Sequence, residues 1–224
     1  MKTGVVVFPG SNCDRDAWDA CAKQLKADVA MLWHGERADL SKFDLVIVPG
    51  GFSYGDYLRT GAIARFAPVM TDVAAFANQG GLVLGICNGF QILTECGLLP
   101  GALVKNKSLQ FICDNVPLKI EKTDTPFTNR YKPNQTVTFP IAHGEGNYTA
   151  DAETIKKLED NGQVVFRYVD DVNGSINKIA GICNEKRNVL GLMPHPERTL
   201  WANETFTGDG SGVFDSIGHA LVKA

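Results

Sequence analysis

A cysteine flanked by glycines occupies the segment GICNG at residues 85–89. The apolar run 82–86 predicts a buried strand, and residues 88–96 predict a helix. A sharp strand-to-helix turn of this kind holds a nucleophile in a strained, exposed position, and the start of the helix favours negative charge on the sulfur. We therefore interpret Cys87 as a nucleophile for a carbonyl carbon, although GICNG alone leaves open which carbonyl is attacked.

The remaining cysteines lie outside any such motif. We expect them to be small buried structural thiols: Cys13, Cys21, Cys96, Cys113 and Cys183.

A thiolate nucleophile needs a group that takes up a proton and returns it. His195 stands in the segment MPHPER at residues 193–198, directly after an apolar run. Pro196 favours an extended backbone at His195, and residues i and i+2 of an extended segment point to the same side. Glu197 is then placed to orient the imidazole and to stabilise its protonated form. The hexapeptide alone fits an ordinary surface turn equally well, and the Cys87 motif favours a Cys–His–Glu triad. His34 and His219 we interpret as structural or solvated.

Attack on an amide creates an oxyanion, which two backbone N–H groups can stabilise. The amide of Asn88, directly after the nucleophile, is one expected donor. The second is expected from another loop at the same edge of the sheet, and the segment PGGF at residues 49–52 follows the predicted strand 45–48 in a suitable place. A glycine pair alone indicates only a turn.

Length and composition favour a single α/β domain spanning residues 1–224. The chain is 44% hydrophobic, enough to bury a substantial core at a size typical of one domain. Its formal charge of −3 comes from mixed acids and bases, which argues against a nucleic-acid partner. The N-terminal apolar run is too short for a signal peptide and no stretch approaches the length of a membrane helix, so a cytosolic location is expected. Dispersed cysteines without a CxxC pair predict reduced thiols and no structural metal.

Apolar runs alternate with helical patterns through residue 96, which predicts a mostly parallel sheet flanked by helices. The predicted elements of this part are strands 4–8, 29–33, 45–48 and 82–86 and helices 14–27, 62–78 and 88–96, with Ser11 or Asn12 as the cap of the first helix. After Pro100 the pattern predicts an antiparallel extension with little helix, followed by a closing helix. The predicted strands there are 116–120, 137–140, 164–168, 178–183 and 189–193, and the closing helix is 212–222.

Three motifs together resemble the class I glutamine amidotransferases: the glycine pair 50–51, the GxCxGxQ pattern of residues 85–91 and the late HPE of residues 195–197. The resemblance implies a flavodoxin-like fold and the release of ammonia from glutamine. It implies that Cys87 is the nucleophile, that His195 is the base and acid, and that Glu197 orients His195. It also implies a role for five further residues: Gly51 and Asn88 as oxyanion donors, and Gln91, His143 and Gly144 as part of the glutamine pocket.

Further segments resemble one branch of that family, the glutaminase subunits of phosphoribosylformylglycinamidine synthase. They are FPGSNCD at 8–14, GGFSYGD at 50–56 and HGEGNY at 143–148. The resemblance implies a separate ATP-dependent synthetase as partner, bridged by a small accessory subunit. The sequence contains no Walker-type phosphate loop, so ATP and Mg are expected on the synthetase and no cofactor is expected in this chain.

Three other functions are open on the residues themselves. A cysteine peptidase or stress protein of the PfpI type can share the sheet and the turn, but its members commonly place histidine directly after the cysteine, where this chain has Asn88. A non-catalytic binding subunit would be expected to lose triad residues, and this chain has all three. An amidotransferase for a different acceptor is disfavoured only by the resemblance of the FSYGD and HGEGNY segments.

Overall fold

The computed structural model describes residues 1–223. Its strands, in chain order, are β1 (Lys2–Val7), β2 (Asp28–Trp33), β3 (Leu45–Val48), β4 (Leu82–Ile86), β5 (Ala102–Val104), β6 (Ile112–Ile120), β7 (Thr136–His143), β8 (Asn147–Thr149), β9 (Val164–Tyr168), β10 (Ile179–Cys183) and β11 (Val189–Leu192). Its α-helices are α1 (Asp14–Lys23), α2 (Pro68–Asn78), α3 (Asn88–Glu95), α4 (Ala152–Asp160) and α5 (Ser211–Lys223).

The main sheet has nine strands in the order β2-β1-β3-β4-β11-β10-β9-β6-β7. The strands from β2 to β11 in that order pair in parallel, and the strands from β11 to β7 pair antiparallel. The order β2-β1-β3-β4-β11 is that of a flavodoxin-like sheet with a switch point beside β1. The predicted α/β fold, a parallel sheet flanked by helices with an antiparallel extension, is confirmed.

The parallel strands are the buried centre of the molecule. Every residue of β3, β4 and β11 is buried, as expected for parallel strands that are covered on both faces. In β7, by contrast, buried and partly exposed positions alternate, so this antiparallel strand covers the core with one face only. The core therefore fixes the position of the β3, β4 and β11 ends, where the candidate site residues follow.

Two predicted helices are shorter than expected. The prediction 62–78 is wrong at its start, because α2 begins at Pro68 and Ala67 before it is extended, with φ −62° and ψ 136°. Proline restricts the preceding residue to such a conformation and fits best at the first helical position. The prediction 14–27 is wrong at its end, since α1 stops at Lys23, and its N-cap is Cys13, without a side-chain hydrogen bond from the predicted caps.

Several elements after Pro100 escaped prediction. Asp151 caps helix α4, because its carboxylate accepts a hydrogen bond from the Thr154 N–H at 2.8 Å. The expectation of little helix was therefore incomplete. The small sheet of β5 and β8 was also missed. Strands β6 and β7 extend well beyond the predicted 116–120 and 137–140, because their exposed polar positions hide the alternating pattern.

Within residues 1–223, no helix combines the length and the apolar character that crossing a membrane requires.

Candidate active site

The carboxyl ends of β3, β4 and β11 lie side by side, and a candidate site residue follows each of them. Gly51 follows β3, Cys87 follows β4, and His195 follows β11 after two residues. Ligands of open α/β sheets bind at the carboxyl ends of the strands, near the switch point. The fold therefore brings three distant sequence motifs to one edge of the sheet.

Cys87 occupies the strained turn that the GICNG segment predicts. Its backbone has φ 51° and ψ −106°, a conformation that residues with a side chain rarely adopt. Its N–H donates to the Leu192 carbonyl at 2.8 Å, which ties the turn to β11. A Cβ on Gly89 would lie 1.8 Å from the Val48 carbonyl oxygen, so only glycine lets α3 approach β3 this closely. Packing from two strands thus holds the thiol at the start of α3.

His195 and Glu197 form a buried pair. The distance from His195 Nδ1 to Glu197 Oε1 is 2.6 Å, and the two residues are 1% and 5% exposed. The His195 N–H donates to the Pro140 carbonyl at 2.8 Å, which fixes the backbone to β7. The predicted extended segment is not formed: His195 has φ −106° and ψ 87°, short of the extended region, and Glu197 lies in a 3₁₀ turn (Pro196–Arg198). The turn still directs the carboxylate onto the imidazole.

Opposing effects act on the imidazole of His195. Burial lowers the pKa of His195, but the negative charges of Glu197 and Cys87 raise it more, so the net shift is upward. Nε2 of His195 is buried and has no hydrogen-bond partner within residues 1–223. A Cβ on Gly50 would lie 2.8 Å from His195 Cε1 and 3.3 Å from Cys87 Cβ, so both side chains lie beside this glycine and a larger residue there would displace them. The site can stabilise an imidazolium beside a thiolate.

The glycine-pair loop is fastened to the first turn of α3. Gly51 has φ +120°, and a Cβ there would lie 2.7 Å from the Asn12 backbone nitrogen. The Ser53 N–H donates to Asn88 Oδ1 at 3.1 Å, and Asn88 Nδ2 donates to Gln91 Oε1 at 3.0 Å. These bonds hold the loop that carries Gly51 against the helix that begins at Asn88. The two predicted oxyanion donors thus lie on adjoining segments.

A cavity of about 200 Å³ opens beside Cys87. Gln91 is one of its walls and is fixed there, because its Nε2 donates to the Glu145 carbonyl at 2.6 Å. The predicted pocket residues His143 and Gly144 also line it. The remaining lining residues are Gly51, Phe52, Asp56, Thr60, Phe111, Ala142 and Glu145. The cavity offers a small polar ligand a path to the thiol.

Residues 1–207 match the family model of the CobB/CobQ-like glutamine amidotransferase domain. The chain belongs to this family. Two subunits named phosphoribosylformylglycinamidine synthase subunit PurQ are similar to this amidotransferase. The one from Synechococcus elongatus is 60% identical, covering 97% of each chain, and the one from Alkaliphilus metalliredigens is 55% identical, covering 99% of this chain and 97% of that one. A chain of the solved structure of PurLQS from Thermotoga maritima is 46% identical, with a TM-score of 0.88 and 98% of each chain covered.

The amidotransferase cavity contains two acidic side chains that sequence reasoning did not single out, Asp56 and Glu145. Asp56 Oδ1 is buried without a hydrogen-bond partner within the described residues. Burial, and secondly the charge of Glu145, raise the pKa of Asp56 to about 6. Thr60 Oγ1 donates to Glu145 Oε2 at 2.6 Å, which fixes that carboxylate. The FSYGD and HGEGNY segments contained both residues, but nothing in them indicated that the fold pairs them.

His143 uses both ring nitrogens inside the amidotransferase. Nδ1 lies 3.1 Å from Asn106 Oδ1, and Asn173 Nδ2 lies 3.4 Å from Nε2. Burial lowers the pKa of His143 to about 4, so the ring is neutral and can accept from Asn173. A Cβ on Gly146 would lie 2.3 Å from the ring. His143 therefore supports the loop that carries Gly144, and it forms the cavity wall without a free nitrogen for a ligand.

Cys13 also lies in the site, where sequence reasoning gave it no role. Its Sγ, a ring nitrogen of His195 and a carboxylate oxygen of Glu197 lie within 4.8 Å of one another. Arg198 Nη2 donates to Cys13 Sγ at 3.1 Å, and this guanidinium disfavours a cation there. We therefore assign no metal to the three residues. Among the other thiols, Cys113 is exposed and Cys96 is half-buried, so the expectation that all of them are buried is wrong for Cys113 and only partly met by Cys96.

His34 and His219 lie outside the predicted triad. His34 Nδ1 is 2.5 Å from the Tyr54 hydroxyl, and His219 Nδ1 is 3.0 Å from Asn129 Oδ1. These contacts support the structural interpretation of both histidines.

Proposed function

We propose that this chain is the glutaminase subunit of phosphoribosylformylglycinamidine synthase. It hydrolyses L-glutamine to glutamate and ammonia, and the ammonia goes to an ATP-dependent synthetase that converts formylglycinamide ribonucleotide to the amidine. The observation that carries the proposal is the strained Cys87 turn against the buried His195–Glu197 pair, in a chain whose relatives are named as subunits of that enzyme. ATP and Mg belong to the synthetase, and a small accessory subunit joins the complex.

The chemistry begins at the side-chain amide of glutamine. The Cys87 thiolate attacks the amide carbon, and the N–H groups of Gly51 and Asn88 stabilise the oxyanion. His195 then donates a proton to the leaving nitrogen, so ammonia departs and a thioester remains. Water attacks the thioester while His195 takes its proton, and glutamate leaves. Glu197 keeps the imidazole oriented and stabilises its charged form in both halves of the reaction.

The acidic pair of Asp56 and Glu145 supports glutamine as the substrate. Free glutamine carries an α-ammonium group, and a cation in the cavity relieves the repulsion between two neighbouring carboxylates. Gln91 and the Gly144 backbone line the same cavity beside Cys87. The cavity thus combines an acidic wall for the ammonium group with a nucleophile for the amide.

Asp56→Asn is expected to raise the KM for glutamine by about tenfold, with a smaller change in kcat, because it removes a charge partner of the substrate and leaves the triad intact. Since the pKa of Asp56 is about 6, the KM of the unchanged enzyme is expected to rise as the pH falls below that value and Asp56 becomes neutral. Steady-state glutamate production between pH 5 and 8 measures both effects. Asp19→Asn, a surface carboxylate on α1, is the control. A KM that stays unchanged in Asp56→Asn contradicts the assignment.

Exposed apolar side chains lie in the loop after β3, which contributes Phe52, Asp56 and Thr60 to the cavity wall and so forms a rim beside it. Tyr57 and Leu58 are 73% and 92% exposed, and Phe52 stacks on Phe111 with ring centroids 6.4 Å apart. Four residues of the loop after β3 have a positive φ: Tyr54, Gly55, Asp56 and Leu58. The bond to Asn88 holds this loop at Ser53. A partner that docks on this rim can turn the glycine peptide plane that carries the Gly51 N–H, because glycine adopts more backbone conformations than other residues. Ammonia in neutral water becomes largely protonated and loses its nucleophilicity, so release into a covered path favours transfer.

Glutamate production by the isolated chain is therefore expected to be low and to rise on the order of a hundredfold in the complete complex, because one misaligned oxyanion donor costs about 3 kcal/mol. The synthetase, the accessory subunit, nucleotide and formylglycinamide ribonucleotide are added in turn. Leu58→Asp is expected to reduce the activation without changing the activity of the isolated chain. Full activity in isolation, unaffected by every addition, indicates a free-standing hydrolase and contradicts the proposal.

Two further proposals concern the whole chain. Residues 1–224 act as one amidotransferase domain, which is supported by the hydrophobic cluster that joins the parallel and antiparallel parts of the sheet. The protein works in the cytosol, where reduced thiols such as Cys87 persist.

A further inference from the structure

The loop between β1 and α1 carries Cys13, the cysteine of the segment FPGSNCD, which has no task in the triad chemistry. The residue is 3% exposed, and its Sγ lies within 4.8 Å of a ring nitrogen of His195 and a carboxylate oxygen of Glu197. The fold thus places another polar side chain close to the His195–Glu197 pair.

Glu197 uses only one of its oxygens in the pair. Oε1 lies 2.6 Å from His195 Nδ1, whereas Oε2 is buried and has no hydrogen-bond partner within residues 1–223. Buried carboxylate oxygens are normally hydrogen-bonded, and a carboxylate fixed through one oxygen can still rotate. A donor for Oε2 would define the orientation of the carboxylate and of the imidazole that it holds.

Cys13 has a proton to donate. Burial first, and then the charge of Glu197, raise the pKa of Cys13 far above the ordinary value of a thiol, so the group is neutral at physiological pH. The S–H faces Asn12 Oδ1 at 3.3 Å, and rotation about the Cβ–Sγ bond can turn the same proton towards Glu197.

Arg198 fixes the sulfur. Its Nη2 donates to Cys13 Sγ at 3.1 Å, and its Nε donates to Asp16 Oδ2 at 2.9 Å. Asp16 lies on α1, and Arg198 lies on the same 3₁₀ turn as Glu197. The guanidinium therefore joins the loop of Cys13 to the turn of Glu197. We propose that Cys13 is a positioning residue that holds the Glu197 carboxylate against His195 through its neutral thiol. This inference rests on the proposed function, in which Glu197 orients His195.

The test compares Cys13→Ala with Cys13→Ser in the complete complex, with glutamate production as the readout. Cys13→Ala is expected to lower kcat by about tenfold and to leave the KM for glutamine within about twofold. The alkaline limb of its pH–rate profile is expected at lower pH, because a less firmly held Glu197 raises the pKa of His195 less. Cys13→Ser keeps a donor and is expected to retain kcat within about threefold, with the alkaline limb of the unchanged enzyme.

Cys183→Ala is the matched control, because Cys183 is a buried thiol in β10, outside the site. It is expected to lower the melting temperature without moving the pH–rate profile. The inference is overturned if Cys13→Ala keeps the kcat and the pH–rate profile of the unchanged enzyme. It is also overturned if Cys13→Ser, or Cys183→Ala, changes kcat and the pH–rate profile as much as Cys13→Ala does. Labelling of Cys87 by a glutamine-analogue electrophile tests the proposed function separately from the role of Cys13. If the unchanged enzyme is not labelled at Cys87, the proposed function itself fails.

Discussion

Cys87→Ala is expected to lower glutamate production by at least about 10⁴-fold, to the limit of detection. The variant has no atom that can form the thioester, and the buried His195–Glu197 pair cannot replace a covalent nucleophile. The melting temperature is expected to change little, because alanine and cysteine meet the same strain at φ 51° and the Cys87 side chain lines the cavity, so its removal leaves less packed surface unfilled. Single-turnover assays with glutamine measure the chemistry, and thermal unfolding measures the fold.

Cys183→Ala provides the comparison for this experiment. It removes a buried thiol of the same size from β10, so it is expected to reduce stability and to keep glutamate production. Peptide mapping after treatment with a glutamine-analogue electrophile is expected to locate the label on Cys87. A label centred on another cysteine, or residual activity of Cys87→Ala near that of the unchanged enzyme, would show that Cys87 is not the nucleophile.

The parallel part of the sheet could be predicted because its strands are buried on both faces. The runs 45–48 and 82–86 coincide with β3 and β4, since continuous apolar residues next to a charged residue, proline or glycine leave few alternatives. Strands β6 and β7 were predicted too short for the opposite reason. Their outer positions are polar or partly exposed, and such alternation is difficult to distinguish from a loop in a single sequence.

The candidate site also contains residues that a local sequence pattern can identify and residues that it cannot. The positions of Cys87 and His195 follow from local patterns, a glycine-flanked cysteine after a strand and a proline-flanked histidine after another. The contact of Cys13 with Arg198 depends on how the β1–α1 loop packs against a turn far away in the sequence. The same holds for Asp56 and Glu145, which share a cavity only because the loops after β3 and β7 meet beside Cys87. No local pattern carries information of that kind.

His195→Ala is expected to lower kcat for glutamate release by about 10⁴–10⁶-fold. The imidazole is required in both halves of the reaction, because the leaving nitrogen needs a proton and the attacking water must lose one. A solvent molecule in the emptied space cannot reproduce its orientation, since the site loses the 2.6 Å contact with Glu197 and the stabilisation of the charged ring. Single-turnover kinetics are expected to show neither rapid thioester formation nor rapid hydrolysis.

Glu197→Gln gives the graded comparison that tests the roles within the triad. It leaves the base in place, but the amide can present its NH₂ group to Nδ1, which favours the wrong tautomer, and it removes the charge that raises the pKa of His195. A loss of about 10²–10⁴-fold is expected, smaller than that of His195→Ala, with the alkaline limb of the pH–rate profile at lower pH because the His195 imidazolium loses its proton more readily. Thermal unfolding of both variants shows whether the fold is retained. If Glu197→Gln keeps the kcat and the pH–rate profile of the unchanged enzyme, the 3₁₀ turn Pro196–Arg198 is an ordinary turn and His195 acts without a carboxylate partner.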